Sequence, residues 1–178
     1  MHPRRPEPLA PESHPHTIDG ALRAYDENEP FPVHNGRMSP FGRTATGSPL
    51  TEECPCGSGR RYAMCCHRLH RGGALAETPE ELMRSRYAAY ALGDWDYIFR
   101  TWHPGTRPDD LGVAAPDSRL TWTGLEIEGS GLDDDTHGWV AFRASYQAPS
   151  GDGVLAEHSR FEVRAGRWLY VDGEIASQ

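Results

Sequence analysis

Apolar residues change their spacing once along this chain, and the change separates helices from strands. Leu82, Met83, Tyr87, Tyr90 and Ala91 recur at helical spacing. Thr78 ahead of them is a hydroxyl N-cap, Pro79 stands at the first helical position, and Glu81 lies three residues after the cap, the grouping that opens a helix. Gly93 is its natural stop. Asp94 caps a second helix through Trp95, Ile98, Phe99 and Trp102, ended before Pro104. Asp109 opens a further short helical turn before Pro116. Beyond Pro116 the period becomes two. Strands are predicted over 119–129, 139–147, 154–164 and 167–172, with Gly- and Asp-rich separators at 129–138 and 149–153 and a tight turn at Ala165-Gly166. The second strand carries Val140, Phe142, Ala144 and Tyr146 on one face. The third carries Leu155, Phe161 and Val163 on one face, with His158 and Arg160 on the other. Helices first and strands after predict an α+β domain, a cone-like curved antiparallel sheet packed on N-terminal helices.

Residues 1–50 show no such period. Pro3, Pro6, Pro8, Pro11 and Pro15 interrupt any helix, and only Ile18 to Tyr25 has room for a turn or two. This head holds too little apolar surface to offset the entropy of ordering, so it is expected to be disordered. Phe31, Met38 and Phe41 are its candidate docking residues. No run approaches the roughly 18–20 apolar residues of a membrane span. The absence of an apolar segment behind Met1-His2-Pro3-Arg4-Arg5 argues against a secretory leader, and the expected compartment is the cytoplasm.

All eighteen basic residues are Arg and none is Lys, a pattern read as codon bias. The formal net charge is −8, unevenly spread. Residues 54–71 carry Arg60, Arg61, Arg68 and Arg71 and no carboxylate, whereas residues 72–178 carry nine Arg against eighteen Asp plus Glu. An acidic body repels a phosphate backbone, so an extended nucleic-acid groove is not expected.

Every cysteine of the chain falls in one short stretch, as Cys54-Pro-Cys56 and Cys65-Cys66. A tetrahedral ion needs four donors at roughly 2.0–2.3 Å, so two arms must converge on it. Gly57 and Gly59 allow the sharp turn between them. A disulfide framework suits a secreted chain, and a redox pair is more commonly spaced C-x-x-C, which is absent. The expected site is therefore structural, with Zn²⁺ favoured over an iron–sulfur cluster, held by Cys54, Cys56, Cys65 and Cys66. His67 competes with Cys66 for the fourth place, since adjacent side chains point in different directions. With the metal and four thiolates counted, the knuckle keeps about +2 of charge.

The run C-x-C-G-S-G-x-x-Y-x-x-C-C resembles the SEC-C motif, the zinc-binding tail of the SecA translocation ATPase. There the last ligand is commonly His, whereas here the place holds Cys66. The resemblance implies zinc on the four matching cysteines and a tail that contacts a chaperone (SecB) and the ribosome. Farther on, Leu82-Met83-Arg84-Ser85-Arg86-Tyr87-Ala88-Ala89-Tyr90, Gly93-Asp94, Thr101-Trp102-His103-Pro104 and Trp168-Tyr170-Asp172-Gly173 resemble the central domain of YchJ-like proteins. That family joins a SEC-C knuckle to a cone of the nuclear-transport-factor-2-like fold. The implied organisation is a disordered head over 1–50, a knuckle over 51–73 and the cone over 74–178, the cone having caps and strands enough to fold without metal.

The cone offers Arg86, Tyr90, His103, His158, Arg160 and Asp172 as acid, base or binding groups, should two or more converge. Structural use is the favoured reading, with His103 closing the second helix and Arg86 pairing with a sheet carboxylate. No hydrolase elbow, phosphate loop or dinucleotide fingerprint is present. The function expected is that of a zinc-binding adaptor, its basic knuckle meeting a protein or ribosomal partner. The alternative is a small-molecule enzyme or binder using the cone pocket. Pairing of two copies through the sheet is a further expectation, resting on exposed Trp139 or Trp168.

Overall fold

The computed structural model describes residues 49–109, 111 and 120–176. The expected disordered head falls almost entirely outside the described residues, as do most of the turn expected between Asp109 and Pro116 and the first residue of the first predicted strand. After short 3₁₀ turns at Pro49–Thr51 and Tyr62–Met64 come helices α1 (His67–His70), α2 (Pro79–Leu92) and α3 (Trp95–Arg100). Strands β1 (Thr121–Leu132), β2 (His137–Ala148), β3 (Gly151–Arg164) and β4 (Arg167–Ile175) follow. The strands form one antiparallel meander in the order β1-β2-β3-β4. Register shifts at Trp122/Gly124, Ile127/Gly129 and Arg160/Phe161 mark bulges, which bend a sheet and give it a concave face.

The ends of α2 are set by the residues predicted to set them. Thr78 Oγ1 accepts the Glu81 backbone N–H at 3.1 Å, and the Glu81 carboxylate accepts the N–H of Glu77 at 2.8 Å. Gly93 adopts a left-handed φ of 73°, which places its N–H and that of Asp94 on the last carbonyls of the helix. Thr78→Ala is expected to cost about 1 kcal/mol, read as a shift of the urea midpoint at unchanged slope.

α3 stops earlier than its pattern predicts. Trp102 leaves the helix because β4 captures the backbone there: the Tyr170 N–H donates to Thr101 O at 2.9 Å, and the His103 N–H to Tyr170 O at 2.7 Å. β1 runs farther than predicted, through Gly129 and Gly131 to Leu132. These glycines are not turn residues. The Trp139 indole lies over them, and a Cβ on Gly131 would stand 2.8 Å from its Nε1. The Ala165-Gly166 turn is as predicted, both residues having positive φ.

The concave face and the helices enclose the core. Leu82 and Met83 of α2, Ile98 of α3, Trp102, Val140, Phe142, Phe161 and Tyr170 are all essentially inaccessible to solvent. Leu69 of α1 belongs to the same cluster, so the cysteine-bearing segment enters the main core.

Candidate metal centre

The two arms of the knuckle are held by a short backbone ladder. The Cys54 N–H donates to Arg60 O at 2.7 Å and the Tyr62 N–H to Glu52 O at 2.9 Å. Between them Gly57 and Gly59 adopt φ of 73° and 69°, conformations that cost a residue with a Cβ. The Tyr62–Met64 turn then delivers Cys65, and Cys66 caps α1 by accepting the Leu69 and His70 N–H groups at 3.0 Å. The four Sγ atoms of Cys54, Cys56, Cys65 and Cys66 all lie within 4.8 Å of one another, and all four residues are buried. His67, the competitor for the fourth place, turns its ring to Tyr62 at 5.2 Å and lies outside this group.

The electrostatics suit a cation at the centre of the four sulfurs. Hydrogen bonding from Cys56 and burial push the Cys54 thiol up to about 11. Hydrogen bonds from Cys54 and Cys56, then burial, push Cys66 far higher, while hydrogen bonds from Cys54 and Cys66 pull Cys56 down. Crowded thiols share protons because they cannot all become thiolates unaided. A dication removes that limit, and a closed, buried set of four sulfurs can bind a soft or borderline metal ion.

The knuckle is seated on the cone by specific contacts. Arg84 of α2 donates from Nη1 to Cys56 O at 3.0 Å while its Nε meets Glu80 at 2.8 Å. Arg68 pairs with Glu81, and Arg100 donates to His70 O. His70 Nε2 lies 2.9 Å from Ser85 O, an acceptor, so Nε2 carries the proton and Nδ1 accepts from the Tyr62 hydroxyl at 2.8 Å. Burial lowers the His70 pKa and keeps this ring neutral. Gly57 passes so close to β1 that a Cβ on it would stand 3.2 Å from Leu125 O.

The expected basic surface is smaller than composition implies. Arg60, Arg61 and Arg71 are exposed, but Arg68 is tied to Glu81, and exposed Glu52 and Glu53 lie opposite Arg61 and Tyr62, Glu53 forming an isolated bridge with Arg61. Met64 stands beside the arginines at 72% exposure. An open groove of about 270 Å³ runs between the knuckle and the start of α2, lined by Arg60, Cys66, Arg68, Thr78, Glu80 and Arg84 among others.

The cone candidates do not converge. Asp172 pairs with Arg160 on the outer face of the sheet at 2.7 and 2.5 Å. His158 stacks on Trp139 on that same outer face, centroids 5.1 Å apart. His103 lies at the end of the sheet, its Nδ1 accepting the Gly105 N–H at 3.1 Å and its Nε2 lying 3.8 Å from Glu162. His103 and Asp172 therefore share no concavity among the described residues, although the alternative of an enzyme or binder using the cone pocket requires such convergence. Arg86 and Tyr90 alone lie inside, Tyr90 against Trp95 and Trp122. Beside Arg86 are groups that were not among the candidates: Glu157, Ser159 and Tyr170. Their signal was present in the alternation of β3, which sets Glu157 and Ser159 on the same face as Leu155 and Phe161. Trp139 and Trp168, offered for pairing of two copies, are both half-buried against their own chain, Trp168 donating to Glu77 O at 3.2 Å.

Comparison with known proteins agrees with this geometry. The SEC-C motif matches residues 51–68, and the middle NTF2-like domain of YchJ matches residues 78–173. The chain belongs to the YchJ family. A UPF0225 protein of Streptomyces coelicolor is 50% identical over 127 residues, 70% of this chain and 97% of that one. Another, from Cupriavidus pinatubonensis, is 45% identical over 70% of this chain and 90% of its own length. The solution structure of a SEC-C motif containing protein from Rhodopseudomonas palustris superposes with a TM-score of 0.60 at 34% identity, covering 70% of this chain and 98% of that one. A crystal structure from Psychrobacter arcticus shares the fold at 24% identity and a TM-score of 0.59, over 73% of this chain and 86% of that one. Among the described residues of this YchJ-family chain, no helix is long and apolar enough to cross a membrane.

Proposed function

We propose that this YchJ-family protein is a zinc-binding cytoplasmic adaptor whose knuckle meets a protein or ribosomal partner while the cone serves as its scaffold. The observation that carries the reading is the buried four-sulfur cluster, Cys54, Cys56, Cys65 and Cys66, in a knuckle whose outer surface presents Arg60, Arg61 and Met64. Zn²⁺ on these sulfurs would supply folding energy and a fixed shape, with no open coordination position for chemistry. The reducing cytoplasm is the compartment that keeps four such thiols ready for metal. Two arginines around an exposed apolar side chain suit an acidic surface with an apolar patch, at an affinity that falls with salt.

Elemental analysis of the purified protein should find about one zinc per chain, and the Cys54→Ser/Cys65→Ser protein should carry none. Co-sedimentation with ribosomes and capture from native lysate should both be chelator-sensitive. Arg60→Glu with Arg61→Glu should leave zinc content and thermal unfolding unchanged yet weaken capture about ten-fold at low salt. Undiminished capture by that variant would move the contact surface off the knuckle.

A further inference from the structure

The interior of the cone holds a polar centre that neither the metal site nor the adaptor reading uses. Arg86 is completely buried, and Trp102 and Glu157 are each more than nine-tenths buried. Tyr170 joins them. The Arg86 guanidinium lies 4.4 Å from the Tyr170 ring centroid, Trp102 meets that ring edge-on at 5.0 Å, and the Tyr170 hydroxyl donates to Glu157 Oε1 at 3.1 Å. Ser159 donates to the same oxygen at 2.6 Å.

The sequence makes room for this arrangement. A Cβ on Gly173 would stand 2.1 Å from Glu157 Oε1, so the carboxyl occupies the space a side chain would fill. Such accommodation would serve no purpose if the carboxyl pointed outward.

The hydrogen bonds are lopsided. Arg86 spends one end of its fork on the fold: Nη1 donates to Ile98 O at 3.2 Å and to Thr101 Oγ1 at 2.9 Å. Its Nε and Nη2, the paired edge that grips a carboxylate with two parallel bonds, have no hydrogen-bond partner among the described residues. Trp102 Nε1 and Glu157 Oε2 have none either. Buried N–H groups without acceptors are costly, and here donors outnumber acceptors. Burial also pushes the Glu157 carboxyl above its ordinary range, toward the neutral form, which leaves the guanidinium's charge poorly matched within the cone.

We propose that the cone is a receptor for a small carboxylic acid, its carboxylate held by Nε and Nη2 of Arg86 and by Nε1 of Trp102, with Glu157 Oε2 paired to a hydroxyl group elsewhere on the ligand. A single negative charge suits one buried guanidinium, whereas a phosphate dianion would bring more charge than the centre can match. The Trp102 and Tyr170 rings flank the guanidinium, their centroids 5.1 and 4.4 Å from its carbon.

The metal-loaded full chain, labelled with ¹⁵N, tests this with sodium acetate as the probe and sodium chloride as the ionic-strength control. The Trp102 indole and Arg86 Nε–H signals, assigned through contacts to Tyr170, should move with acetate and saturate, and should ignore chloride. Trp102→Phe, which keeps the aromatic packing, should weaken acetate binding about five-fold through the lost donor. Arg160→Met on the outer face should change nothing. Signals unmoved at tens of millimolar acetate would overturn the proposal and leave Arg86 and Glu157 as a structural pair. Acetate binding of equal strength in Trp102→Phe would overturn it too, since the anion would then sit elsewhere.

Discussion

Stripping the metal should destabilise the cone as well as the knuckle. Leu69, three residues beyond Cys66, is part of the main core. His70 is wedged between Tyr62 and Ser85, and its carbonyl accepts from Arg100. Without an ion, the backbone ladder at Cys54 and Tyr62 and the Arg84 contact to Cys56 O are left to hold four crowded sulfurs, and the chain between Cys54 and Cys66 loses its closure. Exposing Leu69 costs about 2 kcal/mol, and leaving His70 or Ser85 O without a partner a further ~1–3 kcal/mol. Structural zinc contributes roughly 10–16 kcal/mol in small peptides, comparable with the whole stability of a domain at about 5–15 kcal/mol. Calorimetry in the presence of a strong chelator should therefore show the main transition lowered by roughly 10 °C or more. The near-UV signal of buried Trp102 should be lost in the same step. Cys54→Ser with Cys65→Ser should reproduce the effect without chelator. A main transition unmoved by chelation would show that the cone folds alone, as its self-contained caps and strands led the sequence reading to expect.

The contacts that Leu69 and His70 make with the cone show where sequence reasoning stopped. The caps of α2 and α3, the Ala165-Gly166 turn and the inward row Val140, Phe142 and Ala144 follow from local rules, because each is decided within a few residues. The convergence of four cysteines was legible for the same reason: thirteen residues and two glycines leave few ways to fold around one point. Arg84, Arg100 and Ser85 reach the knuckle from helices far along the chain, and no local pattern announces such contacts. Glu157 was hidden differently. Alternation sets it on the inner face, but a carboxylate in that place reads as an exception until Ser159, Tyr170 and Gly173 are seen around it. His158 and Asp172 drew notice because they are chemically able, yet the strand period had already placed His158 outside. At Gly129 and Gly131 composition misled, since glycine here clears space for the Trp139 ring and does not end the strand.

The second large effect is expected from the smallest change, Gly173→Ala. Gly173 lies in β4 opposite Ser159, and its φ is outside the left-handed region, so its backbone suits any residue. The penalty is therefore steric and falls on one neighbour. The added methyl would lie 2.1 Å from Glu157 Oε1 and 2.7 Å from its Cγ, so the whole carboxyl must move. An exposed glutamate would swing aside at little cost. Glu157 is buried and pinned by Ser159 and Tyr170, and moving it breaks both bonds inside the core. Overpacking of this kind costs about 1–3 kcal/mol, and stranding a buried polar group adds a similar amount. Gly173→Ala should thus lose at least about 2 kcal/mol by urea unfolding. Glu157→Ala removes the obstacle, and in that background the same methyl should cost well under about 1 kcal/mol, a coupling of about 2 kcal/mol between the two positions. Equal losses in both backgrounds would mean that the methyl meets the sheet itself. No loss in the native background would mean that the Glu157 carboxyl is free to move, and the polar centre around Arg86 would lose the rigidity a receptor needs.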